Sequence, residues 1–268
     1  MATPEYGQAD AHETGARPSA IIDLSSGDHS VIQREDPADG EFVDLQSRFG
    51  GRDDEPITGK TAEQFAYEGS QHPERYRFLV DWLGQELAGV DPAYIADVGA
   101  GPAFLTNLIA KRWPRAHVLA VDVSPDMVDF ARSYVADTNV RVVEGDVRRL
   151  SEIRDGPLDA IVSRRMIHRV DNLYQVLEST IRSLKPGGVL VNYSFRRPGV
   201  NQDRSAFLAA ARMRSGQPHL YGAYARAVLN APSLTEYGAA LEEVAMRVGV
   251  QSVKLHVYPF DVGFIIRR

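Results

Sequence analysis

Residues Tyr94-Ile95-Ala96-Asp97-Val98-Gly99-Ala100-Gly101-Pro102-Ala103 decide how this chain folds. An apolar run of strand type stops at an acid, passes into two closely spaced glycines and resumes as an amphipathic segment, Phe104 to Trp113, that reads as a helix. Glycine has no Cβ, so it enters the left-handed region at little cost and lets a ligand approach the backbone. The first turn of a helix leaves N–H groups without intrahelical partners, and these are expected to face a polar or anionic group. Strand, glycine turn and helix in that order make a nucleotide-type binding turn.

Further signals lie on the C-terminal side. Val118-Leu119-Ala120-Val121 is a second apolar run, and it ends in Asp122. In a βαβ unit an acid at the tip of the second strand faces the ligand's ribose and can accept from both hydroxyls, which makes Asp122 the candidate ribose clamp. Val140-Arg141-Val142-Val143-Glu144 runs into Gly145-Asp146, where Asp146 is placed to accept from an exocyclic amine such as that of adenine. Leu158 to Ser163 reads as a buried strand, and Leu184-Lys185-Pro186-Gly187-Gly188-Val189-Leu190-Val191 as a helix stop, a turn and a strand restart.

Around these signals the periodicity is regular. Lys60 to Glu68 and His72 to Leu87 read as helices, with Phe78, Leu79, Trp82 and Leu83 on one face of the second. Helices over 103–112, 125–136 and 173–184 alternate with strands over 117–121, 140–143, 158–163 and 188–195, the pattern of an α/β protein with a mostly parallel, doubly wound sheet. Ser124-Pro125 supplies an N-cap and a first-turn proline. A helix over 234–248 and strands over 252–258 and 262–266 close the chain, and their short connection implies an antiparallel hairpin.

Taken in order, DVGAGP, AVDVSPDMVDFAR, VEGDV, LDAIVSRRMIH and LKPGGVLV make residues 60–268 resemble the class I, Rossmann-like, S-adenosylmethionine-dependent methyltransferases of small-molecule type. The resemblance implies seven strands in the order 3-2-1-4-5-7-6 with strand 7 antiparallel. It implies S-adenosylmethionine as cofactor, S-adenosylhomocysteine as product, and a cofactor site made of Asp97, Gly99, Ala100, Gly101, Asp122, Val123, Gly145, Asp146, Val147, Ser163 and Tyr67. Ala103 departs from the pattern, since the family often has a third glycine there; one extra methyl is expected to hold the helix slightly farther off while the cofactor still fits. A dinucleotide oxidoreductase competes for the same turn, but its fingerprint needs glycine where this chain has Phe104.

With the cofactor bringing the electrophile, the protein must orient a nucleophile, exclude water and sometimes provide a base. His168, just past the fourth sheet strand, is the candidate general base, against a packing role. Arg164 and Arg165 can grip a substrate carboxylate or phosphate, or else one pairs with Asp159 or Asp171 and the other is solvated. Tyr193 and Tyr67 can donate to the cofactor carboxylate, contact the substrate, or simply pack. The connection Arg196 to Ser233 is far longer than an ordinary one and carries two helical stretches, around Phe207, Leu208 and Met213 and around Tyr221, Tyr224 and Val228. The resemblance makes it a substrate-selecting lid, a packing insertion or dimer contact being the plainer reading; His219 and Tyr221 are further candidates within it.

The residues after the fourth strand lack the Asp or Asn followed by Pro-Pro-aromatic of DNA amine methylation, and the fifth strand lacks the Asp-Asn pair of magnesium-dependent relatives, so no metal is expected. Absence of cysteine excludes disulfides, thiolate metal sites and cysteine nucleophiles. The overall charge is −6, yet residues 1–56 hold 13 acids against 4 bases, an acidic extension on a mildly basic domain over 57–268. That balance does not suit nucleic-acid binding. No apolar stretch reaches membrane-spanning length and no basic start precedes an apolar block, so a cytoplasmic protein is expected. Residues 1–18 read as a flexible tail. Ser19 to Leu24 and Ser30 to Gln33 flank a Ser-Ser-Gly-Asp turn, which leaves a short hairpin and an arm docked on a second subunit, hence a homodimer, as alternatives. Two functions stay open at this point: methyl transfer to O, N or C of a metabolite, and a protein of the same fold that keeps the cofactor pocket but binds a metabolite or catalyses a cyclisation or elimination.

Overall fold

The computed structural model describes residues 18–26, 56–199, 204–214 and 221–268. Residues 1–17 of the tail read over 1–18, the Ser30–Gln33 stretch and His219 lie outside the described residues. Eight strands form one sheet: β1 (Ala20–Asp23), β2 (Tyr94–Val98), β3 (His117–Asp122), β4 (Val140–Glu144), β5 (Leu158–Arg164), β6 (Leu184–Phe195), β7 (Ser252–Val257) and β8 (Asp261–Arg267). The helices are α1 (Gly59–Gln71), α2 (Glu74–Glu86), α3 (Phe104–Arg112), α4 (Pro125–Tyr134), a single turn α5 (Leu150–Ile153), α6 (Leu173–Ser183), α7 (Arg204–Arg214), α8 (Tyr221–Asn230) and α9 (Leu234–Val248).

Strand order is β1-β7-β8-β6-β5-β2-β3-β4. β2 through β6 pair in parallel, and β8 runs antiparallel to both β6 and β7. The seven strands read from the sequence keep their expected order, and the correction is an eighth. β1 adds to the free edge of β7, antiparallel, with Ile22 opposite Leu255. The Ser19–Leu24 stretch thus docks on its own sheet. Ser19 donates to the Val257 carbonyl at one end, and the Ser25 hydroxyl accepts from the Val253 N–H at the other.

Both faces of the sheet are covered, as crossover helices require. One face packs Leu119, Ile161, Leu190 and Phe264 under Leu177 and Ile181 of α6 and Leu241 and Val244 of α9, and Ile22 of β1 joins that cluster. The other packs Ile95, Val162 and Val191 under Leu79 and Leu83 of α2 and Ile109 of α3. Trp82 lies so close to β8 that a Cβ on Gly263 would sit 2.6 Å from its ring.

Local chemistry sets the ends of the elements. Ser124 caps α4 by accepting from the Met127 N–H, with Pro125 in the first turn. Ser233 and Glu236 form a reciprocal capping box on α9, which ends at Gly249 in the left-handed region. β6 begins earlier than expected: Leu184 already pairs with Leu158, and Lys185–Gly188 bulge out, through Gly187 at φ 80°, before Val189 pairs with Ala160. The turn read from Pro-Gly-Gly is therefore a bulge inside a longer strand.

Candidate active site

The cleft opens at the carboxyl ends of β2, β3, β4 and β5, where the chain winds outward in opposite directions from β2 and β5, the place where open α/β sheets bind ligands. Its volume is about 320 Å³. The strand tips bring together Asp97, Gly99, Ala100, Gly101, Asp122, Val123, Gly145, Asp146, Val147 and Arg164 on one wall, ten of the residues singled out from sequence.

The glycine turn uses left-handed backbone three times. Gly99 has φ 67°, Gly101 φ 54° and Ala103 φ 66°. The third is unusual for a residue with a Cβ, since an alanine in the left-handed region costs about 1–2 kcal/mol. A Cβ on Gly99 would lie 2.3 Å from Met166 Cγ, whereas a Cβ on Gly101 would meet nothing within 4 Å and would project into open space.

The N–H groups of the glycine turn itself are spent internally. Gly99 and Ala100 both donate to the Val121 carbonyl, Ala103 donates to Ala100, and Gly101 donates to the Asp122 carboxylate at 2.8 Å. The second Asp122 oxygen accepts from the Ser124 N–H at 2.9 Å. Burial raises the Asp122 pKa above the usual carboxylate value, and the N–H donors and Arg169 act against that rise. Asp97 is 1% exposed and accepts from Thr106 Oγ1 at 2.6 Å. Burial, and secondarily the charge of Asp122, push it up to about 7. Asp146 differs: Arg148 grips it through both oxygens and holds its pKa low, while Arg148 also reaches Asp171.

The cleft is thus lined by carboxylate acceptors and offers few backbone donors from its turn. A ribose diol, an exocyclic amine and an α-ammonium group are donors, and they suit Asp122, Asp146 and Asp97 respectively. Open space at Gly101 gives such a ligand room against the backbone. The residues present fit S-adenosylmethionine, a cation with those three donors, better than a dinucleotide.

Four sequence candidates lie off the wall. Tyr67 is 65% exposed on α1, while Phe65, two residues earlier and so on a different side of the helix, lines the cleft. Ser163 is buried within β5. Tyr193 is buried opposite Arg164, with its ring between Phe78 and Tyr258 and beneath the Arg165 guanidinium. His168 is 5% exposed, packs edge-on against Phe195 at 4.9 Å, and is held neutral because burial, then Arg169 and Arg165, drive its pKa well below the ordinary histidine range.

The arginine pair divides. Arg165, at φ 59°, turns inward to Asp261 at 2.5 Å and stacks on Phe195 at 3.6 Å; Asp159 instead holds Lys185. Arg164 faces the cleft with its guanidinium 4.5 Å from the Tyr76 ring centroid. α7 and α8 fill the expected insertion and bury Phe207 and Val228 against Phe195, at the carboxyl end of β6, and against Phe260 in the β7–β8 connection. The described part of the insertion does not reach the cleft wall. Instead Pro56, Ile57 and Phe65 cover it, tied down by the Ser124 hydroxyl donating to the Ile57 carbonyl and the Gly59 N–H donating to Asp126. Sequence reading passed over this strap because a Pro-Ile-Thr-Gly stretch has no periodicity to mark it.

Residues 95–188 match the family model described as a methyltransferase domain. The chain is 29% identical over 174 residues to the malonyl-(acyl-carrier protein) O-methyltransferase of Priestia megaterium, covering 64% of this chain and 58% of that protein. It is 36% identical over 113 residues to the trans-aconitate 2-methyltransferase of Streptomyces avermitilis, covering 41% of this chain and 40% of the relative. The chain therefore spans little more than half the length of the first relative and less of the second. The plantazolicin methyltransferase BamL, solved with a triazolic desmethylPZN analog and SAH, superposes with a TM-score of 0.63 over 90% of this chain and 98% of its own at 11% identity, a likeness of fold. Over residues 95–188 this chain is thus similar to the methyltransferase-domain family, the relatives it matches are named methyltransferases, and its fold is shared with a methyltransferase solved with SAH.

Proposed function

We propose that this protein moves a methyl group from S-adenosylmethionine to an O, N or C atom of a small-molecule metabolite by direct displacement, leaving S-adenosylhomocysteine. The observation that carries the reading is the carboxylate-lined cleft, in which Gly99, Ala100 and Gly101 spend their N–H groups on Val121 and Asp122. The name of one relative, a trans-aconitate 2-methyltransferase, supports a small acceptor, and that of the other, a malonyl-(acyl-carrier protein) O-methyltransferase, a small acyl group borne on a carrier protein.

Bound there, S-adenosylmethionine supplies an electrophilic methyl on a sulfonium. The chain's own residues orient and enclose it. Asp122 accepts from the ribose hydroxyls, and Asp146, locked by Arg148, keeps acceptor capacity for the adenine amine, since a carboxylate has about four lone-pair sites. Asp97, buried beneath the turn, would take the α-ammonium of the bound cofactor. Met166 and Leu105 supply apolar wall, and Pro56, Ile57 and Phe65 would help exclude water from the cleft.

Calorimetric titration with S-adenosylmethionine and, separately, S-adenosylhomocysteine tests the reading. Micromolar binding, about −8 kcal/mol, is expected for both. Absence of binding by either sinks it. Binding without S-adenosylhomocysteine appearing in any acceptor screen favours a fold that kept its cofactor and lost methyl transfer.

A further inference from the structure

We propose that Arg165 is a positioning residue that ties the seating of α7 and α8 to the shape of the cofactor cleft, so that a change in those helices is read as a change in cofactor affinity. The proposal rests on the reading that the cleft takes S-adenosylmethionine, and adds a coupling between that site and the insertion.

The starting observation is backbone strain. Among the described residues other than glycine, Ala103 and Arg165 hold a positive φ, and Arg165 stands at 59°. Such a conformation persists where the surroundings over-determine it, and it clusters at functional loops. Ala103 belongs to the glycine turn. Arg165 lies in the loop after β5, between Arg164 and Met166, and the three line the cleft together. Met166 packs on the turn itself, so closely that a Cβ on Gly99 would lie 2.3 Å from its Cγ. The direction in which the chain leaves Arg165 therefore sets where Met166 presses on Gly99.

Contacts from two strands hold the strained residue. Its N–H donates to the Tyr193 carbonyl in β6 at 2.8 Å. Its guanidinium donates at 2.5 Å to Asp261, a wholly buried carboxylate at the start of β8, and lies 3.6 Å from the ring centroid of Phe195 at the end of β6. The insertion packs on those same two places. Tyr224 of α8 meets Phe195 edge-on at 4.9 Å, and Phe207 of α7 meets Phe260, the residue before Asp261, at 5.5 Å. So α8 reaches Arg165 through one ring, and α7 reaches it through the neighbour of its carboxylate. Each charge of a buried pair has given up its water for the other, so a displaced partner is costly. Close-packed side chains pass such a shift on instead of absorbing it. No described residue of α7 or α8 lines the cleft, and Arg165 is the contact through which both helices bear on a cleft residue. The coupling is reciprocal: a ligand that orders α7 and α8 tightens cofactor binding by the factor by which the cofactor tightens that ligand.

The test uses the full chain and reads two quantities, the calorimetric Kd for S-adenosylhomocysteine and amide exchange over residues 99–101 and 164–169. Tyr224→Ala and Phe207→Leu, both away from the cleft, are each expected to raise that Kd about fivefold or more and to speed exchange in both segments. The same substitutions are then made on an Arg165→Gln, Asp261→Asn background, where the charged link is gone. There they are expected to change the Kd by less than about twofold while lowering the melting temperature as before, an outcome that plain destabilisation does not produce. If that background fails to fold, Arg165→Lys takes its place. Lysine keeps the charge for Asp261 but has no planar face for Phe195, so the Tyr224→Ala effect should shrink and the Phe207→Leu effect should stay. Unchanged affinity in both insertion variants, or equal changes with and without the Arg165 link, overturns the proposal. If neither S-adenosylmethionine nor S-adenosylhomocysteine binds the native protein, the methyl-transfer reading falls, and exchange, which needs no ligand, decides the coupling by itself. Exchange over 99–101 and 164–169 that Tyr224→Ala and Phe207→Leu leave unaltered then overturns it.

Discussion

Asp122 binds two backbone N–H groups, so its side chain shapes the turn as well as facing the ligand. Asp122→Ala is expected to weaken S-adenosylmethionine binding by about 1–3 kcal/mol, because the ribose loses its acceptor and the Gly101 and Ser124 N–H groups lose theirs. Asp122→Asn keeps one acceptor oxygen and should fall between the alanine variant and the native protein; unchanged affinity in the alanine variant would remove Asp122 from the site. Gly99 makes a different demand. Its left-handed φ and the 2.3 Å approach to Met166 Cγ leave no room for a methyl. Gly99→Ala should abolish measurable cofactor binding. Adding Met166→Ala should recover part of it, since the clash goes but about 1–2 kcal/mol of left-handed strain stays. Identical affinities for the single and double variants would show that Met166 is not what the glycine avoids.

At the scale of elements, β1 decides what happens at the sheet's edge. An open edge strand presents unpaired N–H and C=O groups to other chains, and a short added strand is one way to blunt it. Four residues suffice here because Ser19 and Ser25 pin both ends and Ile22 enters the core. Ile22→Asp should cost about 2–5 kcal/mol, the range for losing a large buried aliphatic group. Amides of β7 should then exchange faster, and light scattering should detect self-association; unchanged protection would mean that β1 contributes nothing to the edge. The loop after β5 is a second such device. Arg165, in the left-handed region and paired with buried Asp261, anchors the backbone from which Arg164 faces the cleft.

For the whole molecule, two buried groups give stability opposite dependences on pH. The Asp97 pKa is raised by burial from its ordinary 3.8 to about 7, so the folded state binds the proton more tightly than the unfolded chain. Its contribution is complete below about pH 4 and is lost as pH rises through about 7. The His168 pKa lies well below 6.5 in the fold, so its contribution is present above 6.5 and lost as pH falls below that value. Denaturant unfolding of Asp97→Asn should therefore show higher stability than the native chain at pH 8 and no gain at pH 4. His168→Gln should flatten the loss of stability between pH 6.5 and 5. A parallel offset of either variant at every pH would contradict its assigned titration. Cofactor binding belongs to the same balance: a cation beside Asp97 favours its ionised form, so the native affinity should strengthen from pH 6 to 8, and that of Asp97→Asn should not.

The parallel sheet, its strand order and the strand-tip residues Asp97, Gly99, Gly101, Asp122 and Asp146 were legible in the sequence because local physics writes them. Apolar runs of strand length ending in acids, glycine where φ turns positive, and Ser-Pro at a helix start are each dictated by a few consecutive residues. Nothing local could say that Arg165 faces Asp261 while its neighbour Arg164 faces the cleft, or that Phe65 lines the site and Tyr67 does not. Nor could it show that the glycine turn spends its donors on Val121 and Asp122, or that His168 is packed away from the cleft against Phe195. Those outcomes depend on contacts between segments far apart in the chain. There burial and partner geometry, set only when the sheet is assembled, determine which way a side chain turns and whether it carries charge.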